Sequence, residues 1–237
     1  MQKRFNAFSD FLPIAIGISI FNFQFVMYNL PYFKIDNPEE VLQFMKDHPF
    51  IMLTGVDVNN HPIATQVPVF MDEKDGKIFL SGHMMRNADH QKAFAQNPNV
   101  LALFTGPHAY VSATWYTNSQ MGSTWNYMTV HAKGTIRFQD GDAIPAALER
   151  LSLHYEKGNA DSSTVYHNLP AEYTERMLKG ILAFEIEITA IEHVFKLSQN
   201  RDQQSFENII SRLKEQGVDA GLIAAEMEKI KSKLFSS

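Results

Sequence analysis

The 237-residue chain is long enough for one medium-sized domain with a substantial core. Its hydrophobic fraction of 45% and charged fraction of 20% are typical of globular proteins, and it contains no cysteine, which excludes disulfides and thiolate sites. A formal net charge of −5 gives no support to DNA binding through a basic face, since phosphate neutralisation supplies much of the affinity of such domains. The lack of cysteine fits a reducing compartment, and we expect a cytoplasmic protein.

The first 26 residues differ in character from the rest of the chain. Lys3 and Arg4 precede a short apolar stretch at residues 11–21, which has the outline of a signal peptide without its cleavage site. The stretch is too short and interrupted for a transmembrane helix, which needs about 20 apolar residues. We favour Met27 as the true start, so that residues 1–26 are an extra segment and residues 27–237 form one domain. We expect no membrane association.

The domain opens with a predicted helix followed by a β-meander. The run Asp36-Asn37-Pro38-Glu39-Glu40 combines a capping side chain, a first-turn proline and acidic residues, which together indicate a helix start. Residues 50–58 and 63–71 have the composition of strands joined by a turn, and residues 77–82 form a third strand after Lys74-Asp75-Gly76.

The remaining elements alternate between strands and helices. Strands are predicted at residues 100–105, 109–112, 125–138 and 181–194, and helices at residues 86–96, 143–157, 202–216 and 219–234, with a short helix opening at Pro170. Six or seven strands, mostly joined by tight connections, predict an antiparallel β-barrel. The fold class is therefore α+β, mainly β, with peripheral and C-terminal helices.

A first candidate motif, Leu80-Ser-Gly-His83-Met-Met-Arg86-Asn87, lies where a predicted strand leads into a predicted helix. Free amides at a helix N-terminus and a nearby guanidinium form a phosphate site, and Gly82 would let the backbone approach a ligand. Strand–glycine–helix junctions are common, so a structural role is an equal alternative.

Two further motifs suit a flat ligand. The run from Tyr110 to Tyr116 and the sequence Thr124-Trp125-Asn126-Tyr127 combine aromatic faces with amide and hydroxyl groups. The alternative is a buried aromatic cluster or a dimer interface. In the run Lys196-Leu-Ser198-Gln199-Asn200-Arg201, two cations bracket three polar side chains, which indicates either a solvated loop or a loop that binds an anion or a ring edge.

Common enzyme motifs are absent from the sequence. None of the nine histidines belongs to a His-x-x-x-His or His-Glu-x-x-His pattern, so we predict no metal site. No Gly-x-Ser-x-Gly motif or phosphate loop of an NTPase occurs, which argues against the common hydrolase and NTPase classes.

Taken in order, these segments resemble the PaiB-like family of FMN-binding negative transcriptional regulators. The stretch Thr124-Trp125-Asn126-Tyr127, with Val130-His131 and Gly134 after it, is the most specific part of the resemblance. In the family's Gly-His-x-Ala-Arg-x-Asn pattern, Met85 replaces the alanine and Asn87 comes one position early. The similarity extends over about residues 27–230, in segments at residues 27–33, 48–54, 62–69, 82–87, 104–116, 124–134 and 179–201.

The resemblance implies an FMN-binding split β-barrel, related to pyridoxamine-phosphate oxidases, that holds flavin mononucleotide (FMN) between the subunits of a homodimer. We predict that Arg86 binds the 5′-phosphate and that the ring is lined by side chains from the second and third motifs. The predicted cofactor-binding residues are His83, Arg86, Asn87, Trp125, Asn126, Lys196, Ser198 and Gln199.

The family name implies gene repression, and DNA as a partner rests on this resemblance alone. The alternatives are a flavin-dependent oxidoreductase acting on a small molecule and an interaction module with a vestigial flavin pocket.

Overall fold

The computed structural model describes residues 30–236, which contain seven strands and six helices. The strands are β1 (Phe50–Val56), β2 (Pro62–Pro68), β3 (Phe70–Lys74), β4 (Lys77–Met85), β5 (Asn99–Val111), β6 (Thr124–Gln139) and β7 (Ile181–Lys196). The helices are α1 (Pro38–Asp47), α2 (Asp89–Gln96), α3 (Ala143–Tyr155), α4 (Ala171–Gly180), α5 (Gln203–Leu213) and α6 (Val218–Leu234).

All seven strands form one antiparallel sheet in the order β2-β1-β5-β6-β7-β4-β3. The sheet curls so that its two edge strands, β2 and β3, are separated by Val69 alone, whose amide donates to the carbonyl of Pro49 at 2.9 Å. The predicted split barrel with peripheral and C-terminal helices is confirmed.

Alternate side chains of the central strands fill the inside of the barrel, as a period of two requires. Fully buried residues on this inner face include Leu53, Ala102, Phe104, Val130 and Ile186. The C-terminal hairpin of α5 and α6 buries Phe206, Ile209, Ile223 and Met227 in the same core. The barrel and the C-terminal helices therefore share one hydrophobic core.

Helix α1 starts as the sequence predicts. Asn37 is the N-cap, with its side-chain oxygen accepting a hydrogen bond from the amide of Glu39 at 3.1 Å, and Pro38 opens the first turn. At the other end of this helix, Phe44 packs against Phe195 of β7 with ring centroids 4.9 Å apart. The helix thus attaches to the barrel at the end of β7.

The single strand predicted at residues 63–71 is wrong, because the chain breaks there into two strands at opposite edges of the sheet. Pro68 ends β2 because it has no amide hydrogen with which to continue the β1–β2 ladder. The amide of Val69 then donates to the carbonyl of Pro49, which lies outside that ladder.

The two strands predicted at residues 100–105 and 109–112 are one strand, β5, with a bulge between Thr105 and His108. Gly106 makes the bulge possible, since a Cβ there would lie 2.7 Å from the Phe44 ring. The extra residue keeps His108 and Tyr110 on the outer face of the sheet.

The expectations for residues 1–26 lie outside the described residues. Within residues 30–236, no helix has the length and apolar character needed to cross a membrane.

Candidate functional site

The first candidate motif is a strand end, and the helix predicted to begin at residue 86 is wrong at its start. Strand β4 continues through His83 to Met85, and α2 begins only at Asp89. Gly82 serves packing within the strand, because a Cβ there would lie 2.8 Å from both the Phe184 ring and the carbonyl oxygen of Pro68. The predicted phosphate site on a helix N-terminus beside His83 is therefore not formed.

Arg86 lies just beyond β4 and binds a carboxylate. Its guanidinium donates two parallel hydrogen bonds to Asp140, at 2.9 and 3.0 Å. This pairing lowers the pKa of Asp140 and raises the pKa of Arg86. The pair lines a shallow cleft of about 600 Å³ together with Glu175, Leu178 and Lys179. A bidentate guanidinium contact of this kind also suits a phosphate.

His83 faces a different space from Arg86. It lies under α3 beside a cavity of only about 20 Å³, which Ser81 and Arg150 also line. Burial lowers the pKa of His83, so its ring is neutral near pH 7. Asn87 forms the turn before α2, with a φ of 66° and its amide donating to Gln91. His83 is thus buried beside a cavity too small for a ligand, and Asn87 has a role in the turn.

The second motif places aromatic rings on the outer face of the sheet. The side chain of Trp125 on β6 is 52% exposed, and its ring centroid lies 5.4 Å from that of His108 and 6.2 Å from that of Tyr110 on β5. Tyr110 is 48% exposed. The three rings form an exposed aromatic surface that a flat heteroaromatic ligand could stack on.

A cationic group lies at the same end of the sheet. Lys196 pairs across the ladder with Tyr127, and its ammonium donates to Thr124 Oγ1 at 2.5 Å. Burial and the nearby guanidinium of Arg201 both lower the pKa of Lys196. Two positive charges thus lie close together next to the aromatic surface, and this combination favours an anionic ligand.

Asn126 and Ser198 lie on the inner side of the barrel wall, fully buried beneath α6. Ser198 Oγ donates to Asn126 Oδ1 at 2.9 Å, and the amide of Asn126 donates to Met227 Sδ at 3.5 Å. Gln199 accepts from the amide of Leu197 and donates to the carbonyl of Phe195. These polar groups hold the loop after β7 in place.

Sequence reasoning did not include Arg201 among the site residues, although it ends the third motif. Its guanidinium carbon lies 4.4 Å from the centre of the Tyr116 ring. Both the Nε of Arg201 and the hydroxyl of Tyr116 are buried without a hydrogen-bond partner among the described residues. Asp140 was also missed, because no motif marks it.

The structure brings the predicted site residues together in two groups, at opposite ends of β6. Tyr127 pairs with Lys196 at one end, whereas Gln139 pairs with Ala183 at the other, and Ala183 also pairs with His83. The twelve residue-to-residue steps from Tyr127 to Gln139 extend about 40 Å along the strand, at about 3.3 Å per step. Within residues 30–236, no three acidic or histidine side chains form a metal cluster.

Comparison with known proteins identifies relatives of this chain. The family described as "Putative FMN-binding domain" matches residues 27–190. The protein named "Protease synthase and sporulation protein PAI 2" from Bacillus subtilis is 33% identical over 210 residues, which cover 88% of this chain and 100% of that protein. An uncharacterised protein, AN0679 from Emericella nidulans, is 27% identical over 78% of this chain and 89% of its own length.

A solved structure shares the fold. The FAD and heme binding protein from Mycobacterium smegmatis superposes with a TM-score of 0.52 at 18% sequence identity, over 68% of this chain and 72% of that one. On the extent of the family match and the identity to the Bacillus protein, this chain belongs to the PaiB-like family of FMN-binding split-barrel proteins.

Proposed function

We propose that this protein binds FMN as a homodimer, with each flavin held between the β4 end of one copy and the aromatic surface of the other. The observation that carries the proposal is the placement of the two groups at opposite ends of β6. Within one protomer the two groups are about 40 Å apart along β6, at about 3.3 Å per residue. If a two-fold axis passes near the middle of β6, the Arg86 end of one copy lies beside the aromatic surface of the other copy.

The outer face of the sheet supports such pairing. Phe50 on β1 is 63% exposed, and Met52, also exposed, pairs across the ladder with Leu103 of β5. Contiguous exposed apolar side chains of this kind are typical of protein–protein interfaces. Because they lie on the same side of the sheet as Tyr110 and Trp125, burial of this face by a second copy would also enclose the aromatic surface.

The side chains at the aromatic end fit a flavin ring. Trp125 and Tyr110 offer ring faces for stacking, and Lys196 and Arg201 supply positive charge at its edge. FMN brings a redox-active ring, and these residues would bind and orient it. Asn126 and Ser198 support this end from inside the barrel.

The cleft at Arg86 fits a phosphate once Asp140 is displaced. The Arg86–Asp140 pair is solvent-accessible, with the Asp140 side chain 63% exposed, and exposed ion pairs contribute little to stability. A phosphate carries more charge than a carboxylate, and Lys179 lies in the same cleft. We therefore place the 5′-phosphate at Arg86, in competition with Asp140.

Titration with FMN and with riboflavin, which lacks the phosphate, tests this placement. Arg86→Ala should raise the dissociation constant for FMN about ten- to a hundred-fold, the effect of losing a charge-assisted contact, and leave riboflavin binding unchanged. Asp140→Asn should tighten FMN binding, because the competing carboxylate is removed. Arg212→Ala, which removes another exposed ion pair, serves as the control.

Equal losses of FMN and riboflavin in Arg86→Ala would show that Arg86 supports the fold and would move the phosphate to Lys196 and Arg201. Failure of the folded parent protein to bind either ligand would contradict the flavin proposal itself.

We extend the proposal to negative regulation of gene expression, as the family resemblance implies. The name of the Bacillus subtilis relative refers to protease synthesis and sporulation, which supports this role. A net charge of −5 favours action through a protein partner over a broad contact with DNA phosphates. Sustained oxidation of a reduced nicotinamide by the flavin-loaded protein would instead identify an oxidoreductase.

A further inference from the structure

A second cavity lies away from the candidate flavin site. It has a volume of about 420 Å³ and is enclosed by α1, the turn between β3 and β4, and the middle of β7. This volume is in the range of small-molecule sites, about 300–1,000 Å³. None of the predicted flavin-binding residues lines it.

The walls of this cavity are aliphatic. Its lining includes Val41 and Leu42 of α1, Ile78 of β4, and Ile188 and Ile191 of β7. Apart from the imidazole of β7 described below, no aromatic ring is among the described residues that line it. The cavity therefore suits a flexible hydrocarbon chain better than a flat ring that needs stacking faces.

Among the described residues that line the cavity, the two that carry a charge are both acidic. Asp36 and Glu73 are exposed residues at its edge, and neither forms an ion pair with any residue of the described range. No described lysine or arginine lines the cavity. An anionic ligand is disfavoured at this edge, whereas a cationic group is attracted to it.

The lysines of the neighbouring hairpin do not cancel this charge. Lys74 and Lys77 flank the turn between β3 and β4, but their ammonium groups pair with Glu185 at 3.4 Å and with Glu187 at 2.6 Å. Lys34, whose charge lowers the pKa of His193, donates a hydrogen bond to the carbonyl of His193, and the nearby carboxylate of Glu192 opposes its charge.

One residue that lines the cavity, His193 of β7, is polar and carries no charge on its ring. His193 Nε2 accepts a hydrogen bond from the amide of Ile35 at 2.8 Å, so the hydrogen of the neutral ring is on Nδ1. Burial and the nearby Lys34 lower the pKa of His193 to about 4. The described lining of the cavity thus combines aliphatic side chains and a neutral imidazole with an acidic edge.

From this combination we propose that the cavity binds an aliphatic ammonium compound, with its hydrocarbon chain among the isoleucine, leucine and valine side chains and its cationic head beside Asp36 and Glu73. The site would give the protein a second small-molecule ligand, bound independently of the flavin.

The test is calorimetric titration of the full chain with three compounds of equal chain length: n-octylammonium, 1-octanol and octanoate. Octylammonium should bind most tightly and octanoate most weakly. Shortening the ammonium compound should weaken binding about four-fold per methylene, the effect of one buried CH₂. Equal or tighter binding of octanoate, or no binding of octylammonium, would overturn the proposal.

Variants test the acidic edge and the aliphatic interior of the cavity separately. The double variant Asp36→Asn/Glu73→Gln should bind octylammonium about three- to ten-fold more weakly than the parent and should bind octanol with unchanged affinity. The control Asp75→Asn, in the turn between β3 and β4, should bind both compounds like the parent. Ala190→Phe, which fills the cavity, should abolish binding of both compounds. Undiminished octylammonium binding by a folded Ala190→Phe protein would show that the ligand sits elsewhere.

Discussion

At the scale of single residues, His193 shows how the surroundings of a side chain set its charge. The ring accepts a hydrogen bond from Ile35, lies near the ammonium group of Lys34, and is partly buried beside Phe195. Each of these conditions favours the neutral imidazole. As a result, the pKa of His193 falls from 6.5 in the unfolded chain to about 4 in the folded protein.

This shift predicts a pH-dependent stability. Between pH 6.5 and pH 4 the unfolded chain takes up a proton on this ring and the folded protein does not, so stability present above pH 6.5 is lost as the pH falls toward 4. The contribution is on the order of 2 kcal/mol, since solvent in the cavity reduces the full effect. In urea unfolding, His193→Gln should lose less unfolding free energy than the parent protein between pH 6.5 and pH 4. Identical pH profiles for the parent and the variant would contradict this account.

The sequence indicated which residue types could bind a flavin but not how they are paired. Arg86 and Asp140 are 54 positions apart, and they meet because β4 and β6 both pair with β7 at that end of the sheet. Trp125 and Asn126 were both predicted to line the flavin ring, yet alternation along β6 places the two side chains on opposite faces of the sheet. Which distant residues form pairs, and which side of the sheet each side chain occupies, had to come from the structure.

At the scale of elements, β4 shows a limit of local pattern recognition. Gly82 was predicted to end a strand that leads into a helix, but it lies within β4, where Phe184 of β7 fills the space of its missing side chain. The bulge in β5 has the same kind of cause, since Phe44 of α1 packs over Gly106. The alternation of apolar and polar residues predicted the centres of β6 and β7 well. The end of β4 and the bulge in β5 depend instead on contacts between residues distant in sequence.

The packing at Gly82 predicts a large effect of one methyl group. In Gly82→Ala the new Cβ would meet the Phe184 ring and a backbone carbonyl, each at 2.8 Å, and we expect a loss of about 1–3 kcal/mol of unfolding free energy. Gly122→Ala is the matched control, because no atom lies within 4 Å of its Cβ position. Chemical denaturation measures both; equal stability of the two variants would show that β4 has room at residue 82.

At the scale of the whole molecule, the account predicts a dimer formed through the outer face of β1, β5 and β6. Light scattering should give twice the 27.0 kDa of one chain. Met52→Asp places a charge in the middle of the proposed interface and should yield a folded monomer with weakened FMN binding. Val58→Asp, at an exposed position beyond the end of β1, should remain dimeric. A monomeric parent protein that binds FMN at full affinity would rule out the shared site.

The most direct test of the central claim is the visible absorbance of the protein after incubation with FMN and removal of free ligand by gel filtration. The account predicts that FMN elutes with the dimer, at one flavin per chain, with a spectrum altered by stacking on Trp125 and Tyr110. Complete separation of FMN from the folded protein would contradict it.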